Sequence, residues 1–234
     1  MTPAQRIRMP QWHHLEGSTT PKAEWYSIKN EASSAVIHIY NEIGGWGITA
    51  DSFLQDLSAV SSGQIDVRIN CKGGDVFDGI AIFNALRQHP ASVTTKVDSL
   101  AASIASVIAQ AGDERVMVQH SQMMIHDAHG VCIGGSGDMA SMSDLLERQS
   151  DLIADLYASR SGGSASEFRA LMSAETWLTA DEAVEAGLAD RVVAPADMAA
   201  PKPSAILAEL LAPEPVNWAS VFANAVTNPL EGLE

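Results

Sequence analysis

Four stretches of the chain bring together residue types that can perform nucleophilic hydrolysis. The first is DSLAASIASVIAQAG, in which Ser103 stands where small residues give way to an apolar run. A serine hydroxyl needs a base, usually histidine, to accept its proton, and an acid to orient that histidine. The free N–H groups and the positive dipole end of a helix favour a nucleophile at its start. Serines at helix starts are mostly caps, so Ser103 alone leaves both roles open.

The other three stretches supply a turn, a base and two acids. CKGGD follows a strand and opens a helix, where its two glycines permit a tight turn with exposed N–H groups. His126 ends the apolar stretch MMIH, where a side chain is available for chemistry, and His129 follows in a glycine-rich segment. Glu175 and Asp190 bracket a capped helix, and each is a candidate acid, although such carboxylates mostly lie on the surface.

The composition limits the partners. The chain has 234 residues and a formal net charge of −15, which argues against nucleic acid because phosphate binding needs a basic surface. No apolar run approaches the roughly 20 residues that cross a bilayer, and the N-terminus has no secretory signal, so we expect no membrane and a cytoplasmic location. Cys71 and Cys132 lie in no metal-binding pattern, so we expect neither zinc nor a disulfide.

Strands and helices alternate along the chain, which predicts an α/β domain with a mostly parallel sheet. The predicted strands are 35–40, 64–70, 92–99, 114–119 and 122–128. The predicted helices begin near residues 49, 76, 103, 138, 164 and 179, and the longest runs to residue 159. In the second helix, Val76, Ile80 and Phe83 are predicted on one face, at helical spacing. Residues 1–30 form an arm or an edge, residues 31–194 the domain, and residues 195–234 an Ala- and Pro-rich tail or linker.

Taken in order, the four stretches resemble the Clp protease proteolytic subunit family, ClpP. The resemblance covers roughly residues 33–194 and follows the order strand–GG–helix, AAS–helix, MMIH, long helix and TAxEAxxxGLAD. GGDVFDGIAIFNAL, AASIASVIAQAGD and ETWLTADEAVEAGLAD look most like the ClpP-related head maturation (prohead) proteases of tailed phages and prophages. The resemblance implies a ClpP/crotonase-like fold with repeated β-β-α units, and no metal or cofactor.

The resemblance also implies a role for each matching side chain. Ser103 matches the nucleophile and His126 the general base of a serine endopeptidase. Glu175 occupies the position of the acid, where the housekeeping enzymes usually have Asp. Asp127 and Asp190 are the weaker alternatives for that acid.

Two backbone groups complete the implied site. The N–H groups of Gly74 and Ile104 match the family's oxyanion donors. Ser106 lies one helical turn beyond the nucleophile, where its hydroxyl should face neighbouring packing or the helix's own carbonyls.

The family's assembly and substrates supply further expectations. Its members form homo-oligomeric rings, typically heptamers that stack face to face, through the region equivalent to residues 130–159. The phage-type members process capsid and scaffold proteins, so protein or peptide substrates are expected. Residues 1–30 do not clearly match the family's axial loop, which leaves an unfoldase partner open. The expected location is the cytoplasm of a bacterium or an infected host, or the interior of a procapsid.

Three other functions stay open. Crotonase-type enzymes share the fold and hold an oxyanion with two backbone N–H groups, but they act on CoA thioesters and need no Ser–His pair. A Ser–Lys peptidase needs a lysine base, and none lies between Lys96 and Lys202. A catalytically degenerate scaffold-binding or structural protein fits the glutamate at the acid position and the Ala/Pro-rich tail.

Overall fold

The fold is built on one β-sheet. The computed structural model describes residues 26–30, 34–44 and 50–194. The strands in these residues are β1 (Tyr26–Asn30), β2 (Ala35–Ile39), β3 (Gln64–Cys71), β4 (Ser92–Ala102), β5 (Glu114–Val118), β6 (Gln122–Ile125), β7 (Thr176–Thr179) and β8 (Arg191–Val193). The helices are α1 (Ala50–Ser58), α2 (Val76–Gln88), α3 (Ile104–Ala109), α4 (Ser136–Ser161), α5 (Ala165–Ser173) and α6 (Ala180–Glu185).

Parallel pairing dominates the sheet. Strands β2, β3, β4, β5 and β8 pair in that order, and each of these pairs is parallel. β1 adds an antiparallel edge beside β2, within the segment predicted as an arm or an edge. Buried and partly exposed residues alternate along β2, as expected for side chains that point to opposite faces. The predicted α/β fold with a mostly parallel sheet is confirmed.

β4 pairs with two different strands along its length. Residues 94–97 pair in parallel with β5, whereas residues 100–102 pair in parallel with β6. β6 in turn pairs with β7 in the antiparallel sense. The end of β4 therefore starts a second, short ladder, β4–β6–β7, which we call the site ladder because it ends at the candidate catalytic residues.

α3 lies at the centre of the core. All of its residues, Ile104–Ala109, are buried. α2 approaches it through Gly79, where an added Cβ would lie 2.1 Å from Ile104 Cγ1. Val76, Ile80 and Phe83, predicted on one face of α2, are partly buried and pack against the core. The fully buried residues of α2 are Gly79, Ile82 and Leu86.

Several element boundaries differ from those predicted. β4 runs on to Ala102 rather than residue 99, because its end pairs with β6. β6 ends at Ile125 rather than at residue 128, so His126 lies in the loop that follows. α4 spans Ser136–Ser161, beyond the predicted 138–159. The short strands β7 and β8 have no counterpart in the prediction.

The described residues do not include the predicted tail, 195–234, so the domain boundaries stay predictions. None of the helices in the part of the chain that is described is long and apolar enough to span a membrane. Over the same residues, no three His, Cys, Asp or Glu side chains are grouped as a metal ion would require.

Candidate active site

Ser103 stands between β4 and α3, held by the site ladder. Residues 100–102 pair in register with residues 122–124, and the Ser103 N–H donates to the Met124 carbonyl at 2.9 Å. The backbone of Ser103 has φ 56° and ψ −130°, a conformation that costs a non-glycine residue about 1–3 kcal/mol. Its side chain makes no capping hydrogen bond, so the helix-cap role left open by the sequence does not apply. The hydroxyl is free to contact a group outside the helix.

His126 directly follows the end of β6 and meets that hydroxyl. Its Nε2 and the Ser103 Oγ are 2.8 Å apart, within hydrogen-bond distance. Burial lowers the pKa of His126, and the charge on His129 lowers it further, while nearby carboxylates oppose both effects. Because this pKa lies below its ordinary value, the ring is neutral at pH 7 and Nε2 can accept the serine proton.

The glycine turn after β3 presents a backbone donor to the same place. The turn is pinned by the Ile43 N–H, which donates to the Gly73 carbonyl at 2.8 Å. Gly74 has φ 146°, and a Cβ there would lie 2.0 Å from the Ile43 oxygen, so only glycine fits. Among the described residues, neither the Gly74 N–H nor the Ile104 N–H donates to a protein acceptor. Both residues line the cleft that holds the serine hydroxyl.

Glu175 is brought to the site but is turned away from the histidine. Ile125 of β6 pairs with Thr176 of β7, so His126 and Glu175 each adjoin the last pair of this ladder. The exposed Glu175 carboxylate accepts a hydrogen bond from Trp177 Nε1 at 3.3 Å. His126 Nδ1 is buried and has no hydrogen-bond partner within the described residues. The bond that would join acid and base is therefore not made in this conformation.

The two alternative acids are engaged elsewhere. Asp190 accepts a hydrogen bond from the Arg115 backbone N–H at 2.7 Å and another from its Nε at 3.2 Å. Burial acts to raise the pKa of Asp190, but the hydrogen bonds and charge of Arg115 hold that pKa below its ordinary value. Asp127 pairs with Arg169, which also contacts Glu147 at 2.7 Å. Neither carboxylate bonds to the histidine ring.

Two further side chains at the site were not singled out as functional in the sequence. The His129 ring packs edge-on against the His126 ring, with centroids 4.4 Å apart, although its glycine-rich segment suggested a loose position. Tyr157 of α4 is buried and lines the same cleft. The only sequence signal for Tyr157 is its place one helical turn after Ile153, on the buried face of α4.

These groups surround one cleft of about 120 Å³. Ser103, His126, Gly74 and Ile104 line it together, and in the described part of the chain the N–H groups of the last two have no protein acceptor. The rest of its wall is mixed, with the apolar Val76, Val107 and Ile153 and the polar Asp127 and His129 among the lining residues. A carbonyl group in this cleft would meet a nucleophile, a base and donors for the developing oxyanion.

An α/β sheet that holds a Ser–His pair beside free backbone N–H groups is the arrangement used by serine hydrolases. Sequence comparison specifies the family within that class. The family model described as Clp protease matches residues 21–196. The chain therefore belongs to the Clp protease family, and the resemblance to ClpP in its motifs is confirmed at that level.

Individual relatives agree with this membership. The chain is 32% identical over 132 residues to an ATP-dependent Clp protease proteolytic subunit 3 of Rhodococcus jostii, covering 56% of this chain and 65% of the relative. It is 34% identical over 128 residues to a proteolytic subunit of Chlorella vulgaris, covering 54% and 64% of the two chains. A proteolytic subunit of Bacteroides fragilis is 31% identical over 148 residues, which cover 62% and 72%. The match thus spans slightly less than two thirds of the first two relatives.

Two substitutions should shift the acid limb of the pH profile of kcat/KM in opposite directions. The charge on His129 lowers the pKa of His126, so His129→Gln should shift the acid limb of kcat/KM to higher pH. Glu175 raises that pKa, so Glu175→Gln should shift the limb to lower pH. The measurement is kcat/KM for a fluorogenic peptide between about pH 5 and 9, the range in which histidine titrates.

Glu185→Gln is the matched control for this pair, because Glu185 is an exposed carboxylate of α6 that does not line the cleft. Its profile should coincide with that of the unmodified protein. Shifts of the same sign in His129→Gln and Glu175→Gln would contradict the assignment of His126 as the titrating base.

Proposed function

We propose that the chain is a serine endopeptidase that hydrolyses peptide bonds through an acyl-enzyme. The 2.8 Å contact between Ser103 Oγ and His126 Nε2 carries this proposal, because it joins a nucleophile to a base inside a cleft. The relatives named as proteolytic subunits support the reaction class. Ser103, His126 and Glu175 are the proposed triad, and Gly74 and Ile104 are the proposed oxyanion donors.

In the proposed reaction, His126 Nε2 takes the proton of Ser103 as Oγ attacks the carbonyl carbon of the substrate. The carbonyl oxygen becomes an oxyanion and accepts hydrogen bonds from the Gly74 and Ile104 N–H groups. The imidazolium gives its proton to the leaving amine, the C–N bond breaks, and an ester to Ser103 remains. Water then attacks the ester while His126 takes its proton, which returns to Oγ as the carboxylic product leaves.

Glu175 joins this reaction through a change of side-chain conformation. The Nδ1–H of His126 needs an acceptor when the ring becomes charged, and that nitrogen is buried and unpartnered in the described part of the chain. Glu175, like His126, adjoins the last pair of the β6–β7 ladder. The competing bond to Trp177 is long, at 3.3 Å, and exposed, so its exchange for a charge-assisted bond is favourable.

The same observations favour hydrolysis over the alternatives. Crotonase-type chemistry needs no serine beside a histidine, and here the two side chains are in contact. A non-catalytic scaffold gives no reason for a base of lowered pKa, a strained serine and two free N–H groups around one cleft.

Labelling with a fluorophosphonate tests the proposal. The unmodified protein should form one covalent adduct, which peptide mass spectrometry places on Ser103. Ser103→Ala should form no adduct and should lose peptide hydrolysis by about 10⁴-fold or more, because the nucleophile of a triad is removed.

Ser99→Ala is the control, since Ser99 is an exposed serine of the same strand, four residues before the nucleophile. It should label and hydrolyse as the unmodified protein does. An adduct that persists in Ser103→Ala, or the absence of any adduct in the assembled protein, would overturn the proposed function.

We also propose that copies of the chain assemble into a ring and that rings stack, as the family resemblance implies. Large apolar side chains are exposed just before and along α4, with Val131 80% and Ile133 95% accessible in the single chain. Leu152 of α4 is 52% accessible. Light scattering should give the mass of a ring or a stacked pair, and Ile133→Asp should reduce it. A stable monomer at high concentration would contradict the assembly.

The natural substrates proposed are capsid precursor and scaffold proteins of a tailed phage. The support is the likeness of GGDVFDGIAIFNAL and ETWLTADEAVEAGLAD to the phage-type members of the family. Purified scaffold and capsid precursors should be cleaved at least about tenfold faster than casein, with Ser103→Ala as the blank. Equal or faster cleavage of casein would count against a dedicated role in head maturation.

A further inference from the structure

A chain of two hydroxyl groups leads from α4 to the carbonyl of the nucleophilic residue. Ser106 Oγ donates to the Ser103 carbonyl at 2.5 Å. The same Oγ lies 2.7 Å from the Tyr157 hydroxyl. Because the single Ser106 proton is used on the carbonyl, Tyr157 must be the donor in the second bond. Ser106 is expected from the sequence to face neighbouring packing or the helix's own carbonyls; its hydroxyl contacts Tyr157 of α4 and the carbonyl of Ser103, the residue before α3.

The Ser103 carbonyl is thus held by two donors from one residue. The Ser106 N–H also donates to it, at 2.9 Å. This carbonyl belongs to the same peptide unit as the Ile104 N–H, and a peptide unit is planar with its C=O and N–H pointing in opposite directions. Fixing the direction of the carbonyl therefore fixes the direction of the N–H.

The two hydrogen bonds from Ser106 act against the backbone strain at Ser103. A serine with φ 56° lies in a region that non-glycine residues avoid, so its flanking peptides tend to rotate toward a relaxed conformation. Rotation of the Ser103–Ile104 peptide would turn the Ile104 N–H away from the cleft. The two hydrogen bonds from Ser106 resist that rotation.

We propose that Tyr157 and Ser106 are positioning residues that hold the Ser103–Ile104 peptide so that the Ile104 N–H faces the oxyanion. The proposal deepens the proposed function and rests on it, because the N–H matters only if an oxyanion forms. Neither side chain needs to touch the reacting atoms. Both act through the backbone that carries the nucleophile.

Tyr157 is well suited to the role of terminal donor. It is 1% accessible, and its ring packs against Phe168 with centroids 5.6 Å apart, which fixes the position of its hydroxyl. Burial raises the pKa of Tyr157 above its ordinary value, so the hydroxyl stays protonated across the working range of pH. The donor is therefore always present, and α4 is linked to the start of α3 through it.

The test compares Tyr157→Phe, Ser106→Ala and the double variant with a matched control. Thr95→Val is that control, because Thr95 Oγ1 is also a buried hydroxyl that donates to a carbonyl of α3, that of Ala109, at 2.7 Å. It removes a comparable bond from the far end of the same helix. Each variant is characterised by its Tm and by kcat and KM for a fluorogenic peptide, at a temperature where circular dichroism shows all of them folded.

We expect kcat to fall by roughly 10- to 100-fold in Ser106→Ala and Tyr157→Phe, with KM changed less than about twofold, since a misdirected donor affects the transition state more than substrate binding. The double variant should lose little more than Ser106→Ala, because both hydroxyls act through one carbonyl. Thr95→Val should lower Tm to a similar extent but keep kcat.

An unchanged kcat in Ser106→Ala and Tyr157→Phe would overturn the inference and leave the proposed function unaffected. A fall of kcat in Thr95→Val equal to that in Ser106→Ala would also overturn it, because the effect would then follow stability. If the unmodified protein forms no Ser103 adduct with a fluorophosphonate, the proposed function fails first and the inference fails with it.

Discussion

The register of the site ladder is the constraint on which the candidate active site depends. Parallel pairing of residues 100–102 with residues 122–124 ends β4 and β6 side by side, so Ser103 and His126 leave the sheet at the same point. Antiparallel pairing of β6 with β7 brings Glu175, the residue before β7, close to the same point. A shift of one residue in either pairing would turn the side chains to the opposite face and dismantle the site.

Close approach of backbones is the second requirement, and small residues make it possible. A Cβ on Gly73 would lie 2.7 Å from Ser103 Cβ, so the turn after β3 reaches the nucleophile only as glycine. Gly79 allows α2 to press on Ile104 in the same way. The buried alanines 101 and 102 keep the end of β4 narrow. The cleft is therefore shaped by backbone, and the two proposed oxyanion donors are accordingly N–H groups rather than side chains.

The sequence predicts those parts of the site that depend on local pattern. Local pattern marks Ser103 and His126 as candidates, and the family resemblance supplies their expected roles. β7 escapes prediction because its four residues are too few for a periodic signal and owe their conformation to β6. The turned conformation of Glu175 and the contact between Ser106 and Tyr157, 51 residues apart, depend on tertiary packing that local patterns do not encode. For the same reason the close contact of α2 with α3 at Gly79 is not predicted.

A crystal structure of the protein inactivated at Ser103 by a peptidyl phosphonate would test the proposed active site most directly. We expect a phosphoryl oxygen within hydrogen-bond distance of both the Gly74 and the Ile104 N–H groups. We also expect the Glu175 carboxylate to bond to His126 Nδ1 instead of to Trp177. An adduct whose oxygens face solvent, with Glu175 still on the indole, would contradict the proposed oxyanion site and the proposed triad together.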